Sequence, residues 1–147
     1  MNDSEPAACP ECGAPHVEGL SCFEQLGAIL AWEWQDPELA AVHFLTVASY
    51  NLQHPAQFTA PALGGLREQF IAHLDQGIPI SEIRRRVGQA SAGATRVLKP
   101  EAERTPVLRR WPMTIAAVYI PDRPAGAAER VKAWAASIRA ELRYPLV

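Results

Sequence analysis

All three cysteines of this chain lie within one fourteen-residue segment, residues 9–22, which reads CPECGAPHVEGLSC. Cys9 and Cys12 are separated by two residues and followed by Gly13, so both thiolates can point into one tight turn whose backbone angles a glycine tolerates. Cys22 stands where the first helix is predicted to begin, and a helix N-terminus stabilises a thiolate. Because structural zinc takes four ligands, the segment predicts a zinc site that needs one more ligand.

The residues after the cysteines predict a helical hairpin. Residues 22–35 repeat apolar side chains at the three- and four-residue spacing of an amphipathic helix, namely Phe23, Leu26, Leu30 and Trp34. Asp36 suits the N-cap and Pro37 the first position of a second helix, which Pro55 ends, so this helix is predicted over 37–54. One or two residues separate the two helices, which favours an antiparallel arrangement.

The geometry of the predicted hairpin ranks the histidines as candidates for the fourth zinc ligand. Cys22 lies opposite about position 50 of the second helix, and His54 is one turn further along. His43 lies three turns from His54, roughly 16 Å along the axis, so the two cannot bind one zinc ion. The predicted ligands are Cys9, Cys12, Cys22 and His54. His16, which is close in sequence, is the alternative fourth ligand, as is a water molecule, and without a metal the cysteines are free thiols in a mobile segment.

The rest of the chain is predicted to be mostly helical. A third helix covers 61–76 and ends at Gly77, and a short fourth helix covers 79–90 with Ser81 as its cap. Residues 91–105 are polar and predict a long loop, and a short helix is favoured within 111–120, with Thr114 as its cap. The last helix covers 125–143. Its predicted buried face consists of Val131, Trp134, Ala135, Ile138 and Leu142.

These elements predict an all-α fold, a bundle of about four main helices with additional short ones and an N-terminal zinc-binding cysteine loop. Residues 1–8 are predicted to be a disordered tail, and residues 9–147 a single helical domain that includes the knuckle at 9–22. At 147 residues, one core buries enough surface to be stable without disulfides.

A polar stripe on the second helix suggests another site. His43, Tyr50 and His54 recur on one face, and the hairpin places Glu33 near His43. A buried Glu–His pair would fix the imidazole tautomer, so Glu33, His43 and Tyr50 are the candidate catalytic residues. The favoured interpretation of this stripe is nevertheless a satisfied hydrogen-bond network inside the bundle.

The charge balance argues against two classes of partner. Fourteen Lys and Arg face sixteen Asp and Glu, a formal net charge of -2, which gives no electrostatic support for binding nucleic acid or an anionic membrane. The start of the chain lacks the basic and apolar regions of a signal peptide, and no apolar run is long enough to span a bilayer. We therefore predict a cytoplasmic protein with reduced thiols, whose partner is unknown but could be a protein or a small molecule.

Three stretches resemble one family: CPECGAP…GLSC, LAWEWQDPELAAVHFLTVASYNLQHP, and MTIAAVY…RVKAWAASIRAEL. They are similar to the uncharacterised bacterial family called domain of unknown function 5946, over nearly the whole chain. The string from His43 to Pro55 is the most specific part. The resemblance implies that Glu33 and both helix-two histidines are shared with relatives, but the family name implies no activity.

The leading functional prediction is a small cytosolic zinc-binding protein with a structural Cys3His site and a binding or regulatory role. The alternative is a metal-dependent enzyme, a hydrolase or transferase, in which water replaces one protein ligand and Glu33, His43 and Tyr50 act as acid and base groups. A third hypothesis is an adaptor that contacts a protein through the zinc loop. No nucleophile–base spacing or phosphate-binding glycine loop identifies a reaction.

Overall fold

The computed structural model describes residues 7–91 and 96–142. Within these ranges the chain forms six α-helices: α1 (Cys22–Trp32), α2 (Pro37–Ala41), α3 (His43–Leu52), α4 (Ala60–Gln76), α5 (Ile80–Ser91) and α6 (Ala127–Glu141). Short 3-10 helices lie at Glu33–Gln35, Pro55–Gln57, Glu101–Glu103 and Ile115–Ala117. Only isolated β-bridges occur in the described part. The predicted all-α class is therefore confirmed.

Helix α1 begins at Cys22 because Ser21 and Glu24 form a capping box. The Glu24 amide donates to Ser21 Oγ at 3.2 Å, and the Ser21 amide donates to Glu24 Oε1 at 2.9 Å. The predicted apolar face of this helix is only partly buried, since Leu26 is buried but Phe23 is 68% and Trp34 91% exposed. The buried residues are Cys22, Gln25, Leu26 and Ile29. The face is rotated because the helix turns Cys22 and Gln25 inward, toward the N-terminal loop.

The second half of the hairpin consists of two helices, so the predicted single helix over 37–54 is wrong. Its start is confirmed, because Asp36 Oδ1 accepts from the Leu39 amide at 3.1 Å and Pro37 occupies the first turn. The chain leaves helical geometry at Val42, with φ -107° and ψ 22°. Both α2 and α3 contact α6, and the break allows each of them to do so. Helix α3 ends at Leu52, before His54.

The described residues fall into two compact units, of which the first holds α1, α2, α3 and α6. Its core is formed by fully buried apolar side chains, among them Ile29, Leu39, Ile115, Val131, Trp134 and Ile138. The face predicted for the last helix is confirmed, since all five of its residues are buried. A short helix follows Thr114 as predicted, although the Thr114 side chain makes no capping hydrogen bond.

The second unit covers residues 54–106 and contains α4 and α5. The prediction for α4 is confirmed, and Gly77 ends it in the left-handed conformation with φ +67°. His73 Nδ1 lies 2.7 Å from the carbonyl oxygen of Ile78 and so bridges the turn to α5. The predicted Ser81 cap is wrong, because α5 begins at Ile80 and includes Ser81.

Backbone hydrogen bonds connect part of the predicted loop after α5 to the residues before α4. The Thr59 amide donates to the Val97 carbonyl at 2.9 Å, and the Lys99 amide to the Gln57 carbonyl at 2.9 Å. Residues 92–95 of this loop lie outside the described residues, as do residues 1–6 of the predicted disordered tail. The single domain over 9–147 stays a prediction.

Candidate metal centre

The segment from Cys9 to Ala14 forms a closed turn that places two sulfurs together. The Gly13 amide donates to the Cys9 carbonyl at 3.0 Å, and the Cys9 amide donates to the Ala14 carbonyl at 2.9 Å. Gly13 has φ +80°, a conformation that side chains with a Cβ rarely adopt. The predicted role of this glycine in the turn is therefore confirmed.

Backbone amides of this turn point at the sulfurs. The amides of Glu11 and Cys12 lie 3.3 and 3.4 Å from Cys9 Sγ, and the Ala14 amide lies 3.4 Å from Cys12 Sγ. Hydrogen bonds of this kind stabilise the charged form of the acceptor. The turn is thus preorganised to hold thiolates, which are the form of cysteine that binds metal ions.

Gln25 connects the turn to the start of α1. Its amide nitrogen donates to the carbonyls of Pro15 and Leu20, both at 3.0 Å, and its side chain is completely buried. Between these carbonyls the chain reverses through Glu18 and Gly19, both with positive φ. Gln25 therefore holds the returning loop against the helix whose first residue is Cys22.

His54 is positioned by the residue that precedes it. Gln53, which is 1% exposed, donates from Nε2 to the Met113 carbonyl at 2.9 Å and accepts from Trp134 Nε1 at 3.3 Å. These two bonds fix the chain where it leaves α3. His54 follows with a non-helical backbone, φ -130° and ψ 61°, and is buried.

The four residues that the sequence analysis selected come together. One ligand atom from each of Cys9, Cys12, Cys22 and His54 lies within 4.8 Å of all the others. Cys12, Cys22 and His54 are buried and Cys9 is half-buried. His16 is not part of this group; its backbone amide donates to the Ala7 carbonyl. The cluster is a possible Cys3His metal-binding site.

The surroundings of Cys12 disfavour its charged form in the absence of a metal ion. Hydrogen bonding with Cys22 and, secondly, burial raise the pKa of the Cys12 thiol above its ordinary value of 9.0. Thiolates that lie close together in a buried site repel each other, and a positive charge relieves this repulsion. A bound metal ion supplies that charge and displaces the protons.

Glu33 and His43 form a contact at the other end of the hairpin. His43 Nδ1 lies 3.0 and 2.9 Å from the two carboxylate oxygens of Glu33. The predicted proximity is confirmed, but the imidazole is not buried: the His43 side chain is 52% exposed and that of Glu33 15%. His43 is the first residue of α3, at a hairpin end that is open to solvent.

Tyr50, the third candidate catalytic residue, lies at the cysteine cluster. Its hydroxyl is 3.8 Å from Cys22 Sγ, and its ring lies 6.3 Å from that of Phe23. Tyr50 lies seven positions after His43 on α3, roughly 10 Å along the helix axis. The sequence signal for this position was the match of Cys22 to about position 50 across the predicted hairpin.

Comparison with known families identifies the chain. A family model described as "Family of unknown function (DUF5946)" matches residues 7–143, nearly the whole chain, so the protein belongs to this family. The resemblance inferred from the sequence is thereby confirmed. Comparison with curated proteins and with solved structures finds no significant match. No helix among the described residues is long and apolar enough to cross a membrane.

Proposed function

We propose that this protein binds one zinc ion through Cys9, Cys12, Cys22 and His54. The ion would join three parts of the chain: the N-terminal turn, the first residue of α1 and the segment after α3. The observation that carries the proposal is the convergence of four ligand atoms within 4.8 Å. Their residues are dispersed over forty-six positions of the sequence, and three of the four are buried.

The donor set favours zinc over other cations. Three sulfurs and one nitrogen are ligands of a borderline-soft metal, whereas calcium and magnesium take oxygen ligands. Around a tetrahedral ion with metal–sulfur bonds of about 2.3 Å, neighbouring sulfurs lie about 3.8 Å apart. The observed upper limit of 4.8 Å is within a small adjustment of that spacing.

The site is proposed to be structural because the chain offers four ligands. Structural zinc sites are closed by four protein ligands, while catalytic ones keep a position for water. When bound, zinc neutralises the thiolate charges and crosslinks the segments, which adds free energy to folding. A binding or regulatory role in the cytoplasm belongs to the same proposal, since a reducing compartment keeps clustered thiols available for metal.

The enzyme alternative receives less support. It requires Glu33, His43 and Tyr50 to act together near an open metal position. Glu33 and His43 are paired at one end of α3, whereas Tyr50 lies beside Cys22 near the other end. The proposed ligand set also leaves no position for water.

Elemental analysis tests the proposal. Wild-type protein purified without chelator should contain one zinc per chain, His54→Ala should lose it, and the matched control His16→Ala should keep it. A wild type without zinc overturns the proposal. Zinc retained in His54→Ala but lost in His16→Ala would transfer the fourth ligand to His16 and overturn the role of His54.

A further inference from the structure

Tyr50 places a hydroxyl group beside the sulfur of one proposed zinc ligand. The Tyr50 oxygen and Cys22 Sγ are 3.8 Å apart, and both residues are buried. A thiolate has no proton and only accepts hydrogen bonds, whereas a phenol can donate one. With a metal ion on Cys22, the hydroxyl is therefore the donor in this contact.

Two features of the chain place Tyr50 near Cys22. Phe23 directly follows Cys22, and its ring packs against that of Tyr50 at 6.3 Å with an interplanar angle of 55°. Tyr50 lies in the last turn of α3, which ends at Leu52, and His54 follows in the non-helical segment directly after the helix. The end of α3 and the segment after it thus place an imidazole in the cluster and a hydroxyl group beside the sulfur of Cys22.

The contact resembles what the N-terminal turn does for the other two cysteines. Cys9 and Cys12 receive hydrogen bonds from backbone amides of their own turn. Cys22 lies in α1 and not in that turn, so a donor to its sulfur comes from outside the turn. The Tyr50 hydroxyl is one such donor, and it comes from a side chain that mutation can remove.

We propose that Tyr50 is a positioning residue of the metal centre: its hydroxyl donates to the Cys22 thiolate, orients that sulfur toward the ion and reduces its nucleophilicity. This inference rests on the proposed zinc site. Partners of metal ligands typically change metal affinity by 10- to 100-fold when they are removed. Because thiolate charge controls attack on electrophiles, the same hydrogen bond also protects Cys22 from alkylation.

Tyr50→Phe removes the hydroxyl and keeps the ring, and Tyr119→Phe is the matched control. Tyr119 is buried as well, but it stacks on Trp32 and has no contact with the cluster among the described contacts. Competition with a chromophoric chelator should give about tenfold weaker zinc binding for Tyr50→Phe, and wild-type affinity for Tyr119→Phe. In the zinc-loaded Tyr50→Phe protein, iodoacetamide should modify Cys22 faster than in wild type.

The absorption spectrum of the cobalt-substituted protein distinguishes loss of the hydrogen bond from a change in packing. Loss of a hydrogen bond raises the energy of the sulfur lone pairs, so the thiolate-to-cobalt charge-transfer band of Tyr50→Phe should shift to lower energy. Replacement of Tyr50 by 4-aminophenylalanine, which retains a weaker donor, should shift the band by less and restore most of the zinc affinity. This second variant tests the inference even where Tyr50→Phe fails to fold.

The outcomes separate the two proposals. One zinc per wild-type chain, together with unchanged affinity and an unshifted cobalt band in Tyr50→Phe, overturns the role of Tyr50 and leaves the zinc site intact. Equal losses of affinity in the phenylalanine and 4-aminophenylalanine variants, without a band shift, also overturn it, because they indicate packing. A wild type that binds neither zinc nor cobalt overturns both proposals.

Discussion

The indole nitrogen of Trp134, on α6, donates a hydrogen bond to the side-chain oxygen of Gln53 over 3.3 Å, inside the core. The side-chain amide of Gln53 also donates to the carbonyl of half-buried Met113, so one glutamine pairs with two polar groups from distant parts of the chain. Gln53 is also the residue before His54. The residue that bonds to the buried Trp134 is therefore followed directly in the chain by a residue of the candidate metal centre.

Gln53→Leu should destabilise the protein and displace His54. It removes the partner of the buried Trp134 N–H and of the carbonyl of half-buried Met113, and a buried group without a hydrogen bond costs about 1–3 kcal/mol. Urea denaturation of the zinc-loaded protein should show a loss of roughly 2–4 kcal/mol. The control Gln35→Leu changes an exposed glutamine and should stay within about 0.5 kcal/mol of wild type. Equal stability of the two variants would contradict this assignment.

Zinc affinity should rise with pH. Without metal, hydrogen bonding with Cys22 and burial raise the pKa of Cys12, so this thiol keeps its proton at neutral pH. Zinc must displace that proton, and each proton released makes the affinity change about tenfold per pH unit. Chelator competition at pH 6, 7 and 8 should give the weakest binding at pH 6. A flat profile would indicate that the ligands are already deprotonated in the metal-free protein.

The Glu33–His43 contact should be independent of the metal centre. The imidazole is half exposed, and even a charged contact between exposed side chains contributes only about 0–1 kcal/mol. His43→Ala should therefore lower the free energy of unfolding by less than about 1 kcal/mol and leave the zinc content at one per chain. Loss of zinc in His43→Ala, with retention in the exposed-site control Trp34→Ser, would place His43 in the metal centre after all.

The residues of the cluster could be predicted because they depend on few assumptions. The turn follows from two cysteines and a glycine. Any antiparallel hairpin that reverses near Asp36 places Cys22 and His54 at the same end. The break at Val42 did not disturb this match, because it moves the chain locally while α1 and α3 still run antiparallel, with Cys22 near Tyr50 and Glu33 near His43.

Other features depend on tertiary contacts that local patterns do not contain. The spacing of Phe23, Leu26, Leu30 and Trp34 fits a helical face, but the buried face is chosen by what Cys22 and Gln25 contact. Gln25 and Gln53 are polar residues in the core, and their partners lie in segments that periodicity cannot pair. Tyr50 was grouped with His43 because both lie on one stripe of the predicted helix. Such a stripe runs along the whole helix, and residues at its two ends are too far apart to form one site.

Gly13→Ala should weaken zinc binding, whereas Gly77→Ala should not. Both glycines have positive φ, +80° and +67°, and a left-handed conformation costs an L-residue about 1–2 kcal/mol. A Cβ on Gly13 would meet Leu108 Cδ1 at 3.6 Å, an ordinary contact, and one on Gly77 would meet nothing within 4 Å, so backbone strain is the common effect.

At Gly77 this strain acts on the end of α4 and should lower thermal stability with zinc content unchanged. At Gly13 it acts on the turn that carries Cys9 and Cys12, so the proposed site predicts roughly tenfold weaker binding in chelator competition. Equal zinc affinities of the two variants would mean that the turn does not hold the ion.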